Sequence, residues 1–299
     1  MEEQVKESSI LIREVETKNI MIKSTLPVGG YSVNPYVGCT HGCKYCYASF
    51  MKRFTGHTEQ WGTFLDVKRW PTIKNPWKYR GQRVVIGSVT DGYNPQEEQF
   101  GNTRRILEQL KGSGAEILIC TKSDLVVRDL ELLKTLGKVT VSWSINTLDE
   151  QFRADMDQAV SIERRLAAMK KVYDAGIRTV CFISPVFPGI TDFEAIFERV
   201  RNQCDLVWLE NLNLRGGFKK DIMDYIQEKY PDLVPLYDAI YNKKDRSYFQ
   251  MLEEKAKRLA RNNNCPFVDN ELPYGRAEQG HPVIVDYFYH EEVRGSENT

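Results

Sequence analysis

The chain's 299 residues are enough to bury a substantial core, and 41% hydrophobic with 27% charged residues is the balance of a water-soluble globular protein. No apolar run is long enough to span a bilayer, and Lys+Arg and Asp+Glu cancel at 41 each, so net charge argues neither for nor against nucleic acid. Seven cysteines, an odd number, follow a polar start (Met1-Glu2-Glu3-Gln4) unlike a signal peptide; this argues against a disulfide framework and for a reducing cytoplasm.

Residues 1–30 read as a polar N-terminal extension closing at Leu26-Pro-Val-Gly-Gly30. From Tyr31 to about Asn213, strand-like and helix-like stretches alternate. The predicted strands are Tyr31–Tyr36, Arg83–Thr90, Glu116–Lys122, Lys138–Asn146, Arg178–Ser184 and Leu206–Leu212. Their near-continuous β-branched and apolar runs suit strands buried on both faces of a parallel sheet. Helical patterns fill the gaps at 98–111, 126–136, 161–175 and 192–203, and Ile162, Leu166, Met169 and Tyr173 keep the spacing of an amphipathic helix. After Gly216-Gly217 the alternation stops. Helices follow at about 218–229, 233–241 and 245–263, then a turn at Pro273-Tyr-Gly275 and a strand-like Val283–Tyr289. The organisation expected is therefore an extension (1–30), an α/β domain (31–214) and a helical and mixed cap (215–299).

The first strand runs into Cys39-Thr-His-Gly-Cys43-Lys-Tyr-Cys46. Three thiolates at C-x3-C-x2-C spacing can hold three irons of a [4Fe-4S] cluster and leave the fourth open, whereas ordinary electron-transfer clusters use four cysteines. Zinc is the alternative. It usually takes cysteine pairs completed by a second pair or by histidines, yet Cys120, Cys181, Cys204 and Cys265 are scattered and His41, His57, His281 and His290 form no close pair. The run, with aromatic Tyr45 before the third cysteine, resembles the cluster motif of the radical SAM superfamily. That resemblance implies a partial (β/α)6 TIM-like barrel and a cluster held by Cys39, Cys43 and Cys46. It also implies S-adenosylmethionine as the second cofactor, cleaved reductively to methionine and a 5′-deoxyadenosyl radical that abstracts hydrogen from a substrate. By analogy with full barrels, the chemistry belongs at the strand C-terminal ends.

Several residues follow as candidate cofactor contacts. Tyr45 would lie beside the adenine, or merely pack the cluster loop. Thr90-Asp91 ends the second strand, where the family holds the methionine amino group; an Asp-Gly turn is the plainer reading. Lys122 shares a face with Leu118 and Cys120, so it would pair with the cofactor carboxylate, or else sit at the rim. Ser144 and Asn146 would bond ribose hydroxyls or the carboxylate. Ser184, Glu210, Asn211 and Asn213 end the last two strands, where substrate contacts are expected.

Asn34-Pro-Tyr-Val-Gly-Cys39, Cys43-Lys-Tyr-Cys-Tyr47, Thr121-Lys122-Ser123 and Pro185-Val-Phe-Pro-Gly189 together resemble the spore photoproduct lyase branch. That likeness implies hydrogen-transfer roles for Tyr45 and Tyr47. The lyases carry a hydrogen-donor cysteine just before the Thr/Ser-Asp turn; here the stretch reads Ser88-Val-Thr-Asp91, which argues against spore photoproduct repair. Over nearly its whole length, in Val84–Tyr93, Glu210–Gly217 and Val285–His290, the chain is similar to the radical SAM mobile pair protein B group, which implies a second radical SAM protein as partner. A reductant such as flavodoxin or ferredoxin is also implied. Between Lys44 and Arg83, nine Lys/Arg and two Asp/Glu interleave with nine aromatics. Such a stretch could bind nucleic acid, but with net charge at zero a packing or partner-docking surface is favoured. The functional classes expected are thus an enzyme, an accessory module that activates its partner, and a zinc-binding nucleic-acid protein.

Overall fold

The structure, a computed structural model, describes residues 10–24, 29–214, 216–269 and 275–288. Strands β1 (Leu11–Glu16), β2 (Ile22–Lys23), β3 (Tyr31–Val33), β4 (Tyr36–Val37) and β5 (Phe64–Arg69) precede a regular alternation. It runs β6 (Arg83–Ile86), α1 (Glu97–Phe100), α2 (Asn102–Gln109), β7 (Glu116–Thr121), α3 (Leu130–Lys134), β8 (Lys138–Ser144), α4 (Glu150–Met156), α5 (Ile162–Asp174), β9 (Arg178–Val186), α6 (Phe193–Val200) and β10 (Leu206–Asn211). Helices α7 (Phe218–Lys229), α8 (Val234–Tyr241) and α9 (Ser247–Asn262) then lead to β11 (Phe267–Asp269) and β12 (Val283–Asp286).

Strands β3, β6, β7, β8, β9 and β10 lie side by side in chain order, all parallel, which is the wall of a partial barrel. Period-two alternation divides each strand between two environments. Ile86, Ile119, Val141, Cys181 and Leu209 pack in the main core, while Val85, Leu118, Ser142, Phe182 and Trp208 turn to a cavity inside the wall.

The edges depart from expectation. Tyr31–Tyr36 is not one strand: it breaks at Asn34-Pro35, where proline has no N–H for the ladder, and β4 crosses to pair with β5 in a second sheet, β1-β5-β4. Nor is the start only an extension. β1 pairs in parallel with β5, β2 pairs with β3, and Ile20 and Met21 are buried. The C-terminal region continues the barrel sheet as well as covering it, because β12 lies in parallel beside β10 and β11 beside β12. Leu26–Val28, Arg215, Pro273–Tyr274, Tyr289 and His290 lie outside the described residues.

The helix expected over 98–111 is two, parted at Gly101, whose φ of +61° ends α1. α4 was not anticipated. Its signal is Asp149, whose side chain accepts from the N–H groups of Gln151 and Phe152.

Candidate active site

A cavity of about 1040 Å³ opens at the C-terminal ends of the barrel strands, and Cys39, Cys43 and Cys46 all line it. The cysteine loop is built from tight turns. The N–H of Gly42 donates to the carbonyl of Cys39 at 3.1 Å, and that of Cys46 to the carbonyl of Cys43 at 3.1 Å. Gly38, at φ +85°, admits no side chain, since a Cβ would lie 2.4 Å from the carbonyl oxygen of Phe64. Two further bonds tie the loop to the end of α4, from Lys44 N–H to Met156 and from Gln158 N–H to His41.

Cys39 is buried, Cys43 and Cys46 half-buried. Burial pushes all three thiols up, Cys39 to about 12, so without metal they are S–H groups that must release protons to bind iron. Among the described residues no three His, Cys, Asp or Glu side chains converge as a single ion requires. A cluster takes each thiolate on a different iron, so the three need not meet at one point to hold it. His41, at the same wall, has a buried Nδ1 with no hydrogen-bond partner among the described residues, a polar atom that a bound group could satisfy. The residues present therefore fit a [4Fe-4S] cluster on three thiolates.

Asp91 follows β6 and is buried. Its carboxylate accepts from the N–H of Tyr93 at 2.8 Å, the N–H of Lys122 at 2.7 Å and the hydroxyl of Thr121 at 2.9 Å, and faces His41 Nε2 at 3.0 Å. Burial alone would raise its pKa, but His41 and the backbone donors outweigh it and hold the carboxyl below its usual range. Every acceptor position is thus used within the protein. The Asp91 side chain braces the cysteine loop against β7, and both Thr90 and Asp91 line the cavity. Lys122 is half-buried in the cavity wall, and among the described residues its Nζ has no ion-pair partner. It lies 5.7 Å from the Tyr45 ring centre. Burial lowers its pKa, yet Cys43 and Asp157 nearby more than compensate and hold it above the usual lysine value.

Tyr45 is buried, edge-on to Phe187 at 5.5 Å, with its hydroxyl 3.4 Å from Asp157. Asp157 accepts in turn from Arg165 at 2.6 Å, and Arg165 also donates to the carbonyls of Val160 and Ser144. Sequence reading missed this fully buried ion pair; its signal is that Arg165 falls beside Ile162 and Leu166 on the apolar arc of α5. Tyr47 is exposed at the cavity mouth, its hydroxyl bonded to the carbonyl of Ser88. Ser144 lines the cavity. Asn146 does not: β8 ends at Ser144, and the carbonyl of Asn146 accepts from Thr191 Oγ1 at 2.8 Å beneath the surface.

A model of the radical SAM superfamily matches residues 33–200. The chain belongs to the radical SAM superfamily. An uncharacterized protein of Methanocaldococcus jannaschii is 34% identical over 239 residues, 79% of this chain and 89% of that one. An uncharacterized protein of Mycobacterium tuberculosis is 27% identical over 252 residues, 77% of this chain and 73% of that one. Among solved structures, spore photoproduct lyase complexed with dinucleoside spore photoproduct aligns with a TM-score of 0.54 at 16% identity. The alignment covers 74% of this chain and 66% of the lyase, just under two thirds of its length, and at this identity it is a likeness of fold.

In this radical SAM chain the far wall of the cavity is polar and aromatic. Ser184 Oγ donates to Glu210 at 2.5 Å, and burial pushes the Glu210 carboxyl up to about 7. Asn211 and Asn213 line the same wall. Sequence reading missed Ser142 and Trp208, whose polar atoms are buried without a partner among the described residues, and Phe182, tilted on Trp208 at 4.7 Å. The alternation that pointed to Lys122 marks them too, once the inward face is known.

The basic stretch does not form one surface. Arg69 pairs with Glu14, Trp70 is buried under Arg105, and Arg80 packs against Gly114. Phe50, Lys52 and Arg53 reach the cavity mouth, where the Arg53 guanidinium lies over Phe50 and Phe54.

Proposed function

We propose that the protein is an enzyme that cleaves S-adenosylmethionine reductively at a [4Fe-4S] cluster and abstracts hydrogen from a substrate held in the same cavity. The observation that carries this reading is the convergence of Cys39, Cys43, Cys46 and Lys122 on one cavity at the C-terminal ends of parallel strands. Cluster and S-adenosylmethionine together supply the electron and the adenosyl radical; the chain supplies binding, orientation and exclusion of water. Cys39, Cys43 and Cys46 would hold three irons. Lys122 would bind the cofactor carboxylate as a charge-assisted hydrogen bond. Asp91 keeps the cysteine loop against β7, and Arg165 and Asp157 keep Tyr45 in place. Ser184, Glu210, Asn211 and the Trp208 indole would hold the substrate opposite, with Tyr47 at the mouth between them.

Spore photoproduct repair is not part of this proposal, since Ser88 stands where a lyase would carry its cysteine. A second radical SAM protein and a flavodoxin or ferredoxin are the proposed partners, in the cytoplasm; no helix among the described residues is long and apolar enough to cross a membrane. The test is anaerobic reconstitution, with iron and sulfide analysis and assay of S-adenosylmethionine cleavage with and without the second protein. About four irons and four sulfides per chain and release of 5′-deoxyadenosine are expected. Cleavage only in the presence of the second protein would make this chain an accessory module, and bound zinc without sulfide would overturn the reading.

A further inference from the structure

Between Cys39 and Cys43 the cysteine loop carries His41, a side chain only 2% exposed that lines the cavity. It is held from several directions. Its carbonyl accepts from the N–H of Gln158 at 2.7 Å, the hydroxyl of Thr40 donates to Gln96 at 2.7 Å, and the N–H of Gly42 closes the turn on Cys39. In the ring, Nε2 lies 3.0 Å from Asp91 Oδ2, while Nδ1 is buried without a hydrogen-bond partner among the described residues. An orphaned nitrogen this deep is unusual, and the open space beside the ring is the cavity.

The surrounding network assigns the ring hydrogen. The N–H groups of Tyr93 and Lys122 can only donate, so the Asp91 carboxylate accepts on every side. Nε2 therefore carries the hydrogen, and Nδ1 of the neutral imidazole is an acceptor in want of a donor. The backbone N–H of Lys122 reaches the same oxygen, Asp91 Oδ2, at 2.7 Å. One carboxylate oxygen thus fixes both a neutral acceptor, His41, and the base of Lys122, whose ammonium has no ion-pair partner among the described residues. An α-amino acid carries its amino and carboxyl groups on a single carbon, so it calls for such an acceptor and such a cation side by side. We propose that His41 Nδ1 accepts a hydrogen bond from the amino group of S-adenosylmethionine while Lys122 takes the carboxylate, with Asp91 as the positioning residue for both. The inference rests on the proposed cofactor.

The experiment measures equilibrium binding of S-adenosylmethionine, and of its analogue with hydrogen in place of the amino group, to the reconstituted full chain. His41→Phe keeps a planar ring and removes both nitrogens. It should weaken S-adenosylmethionine about tenfold, the effect of one hydrogen bond, at unchanged iron and sulfide content, and leave the affinity of the analogue as it was. An equal loss for both ligands would make His41 a structural residue and overturn the proposal, as would no loss at all. Should the variant lose its cluster, a crystal structure of the wild-type chain with S-adenosylmethionine decides. The amino nitrogen is expected within about 3.2 Å of Nδ1; a longer separation, or an imidazole bonded to iron, would sink the idea. A wild-type chain that holds its cluster but binds no S-adenosylmethionine would instead overturn the cofactor reading, and this inference with it.

Discussion

Asp91 and Lys122 are neighbours in space with opposite accounts. The Asp91 carboxylate is saturated by donors from three segments, whereas Lys122 presents a cation in the cavity wall with no direct ion pair among the described residues, Asp157 acting on it only at longer range. A half-buried ammonium in that position calls for an anionic ligand. Lys122→Ala should therefore weaken S-adenosylmethionine binding by about 1.5–3 kcal/mol, the range for a hydrogen bond to a charged group, with iron and sulfide content unchanged; equilibrium binding to the reconstituted protein measures it. Across the cavity, Glu210 has its carboxyl moved from 4.5 to about 7 by burial. Between these values the folded chain holds a proton that the unfolded chain has lost, so stability falls as pH rises through that window. Glu210→Gln should flatten this slope in the metal-free protein and leave it more stable at pH 8, by on the order of 3 kcal/mol at most; denaturant melts across pH check it. Asp286, raised by burial to about 7 in the same way, contributes a slope of the same sign that the substitution leaves in place.

At the scale of elements, the site is a contact between loops held by strands that end at the right places. The cysteine loop meets the loop before β5 through backbone at Gly38 and Gly62, where neither partner leaves room for a Cβ. Gly38→Ala combines a left-handed φ with a clash on the Phe64 carbonyl. It should destabilise the fold by about 1–3 kcal/mol and lower iron content, read from unfolding curves and iron analysis. The same substitution at Gly29, also at positive φ but with no atom in the way, would carry only the backbone strain. Strand ends decide placement in a comparable manner. Because β8 stops at Ser144, that residue reaches the cavity while Asn146, two positions on, is folded under Thr191.

In the whole molecule the main core is aliphatic and aromatic, drawn from the barrel strands and the helices outside them, and the cysteine loop enters it chiefly through Tyr45. Folding should then not depend on iron. Cys43→Ala is expected to abolish the cluster yet keep one cooperative unfolding transition, weaker by roughly 1–3 kcal/mol; circular dichroism during denaturation of the metal-free proteins tests this. The sequence by itself determined the six parallel strands and the three clustered cysteines, because strand periodicity and ligand spacing are local properties written in neighbouring residues. It also placed Lys122 inside, through alternation along one strand. Only the tertiary structure decided that Asp91 is a brace, that Arg165 is buried against Asp157, and that the basic stretch is dispersed. Each of those depends on which distant segment supplies the partner, and such pairing is settled by packing across the fold.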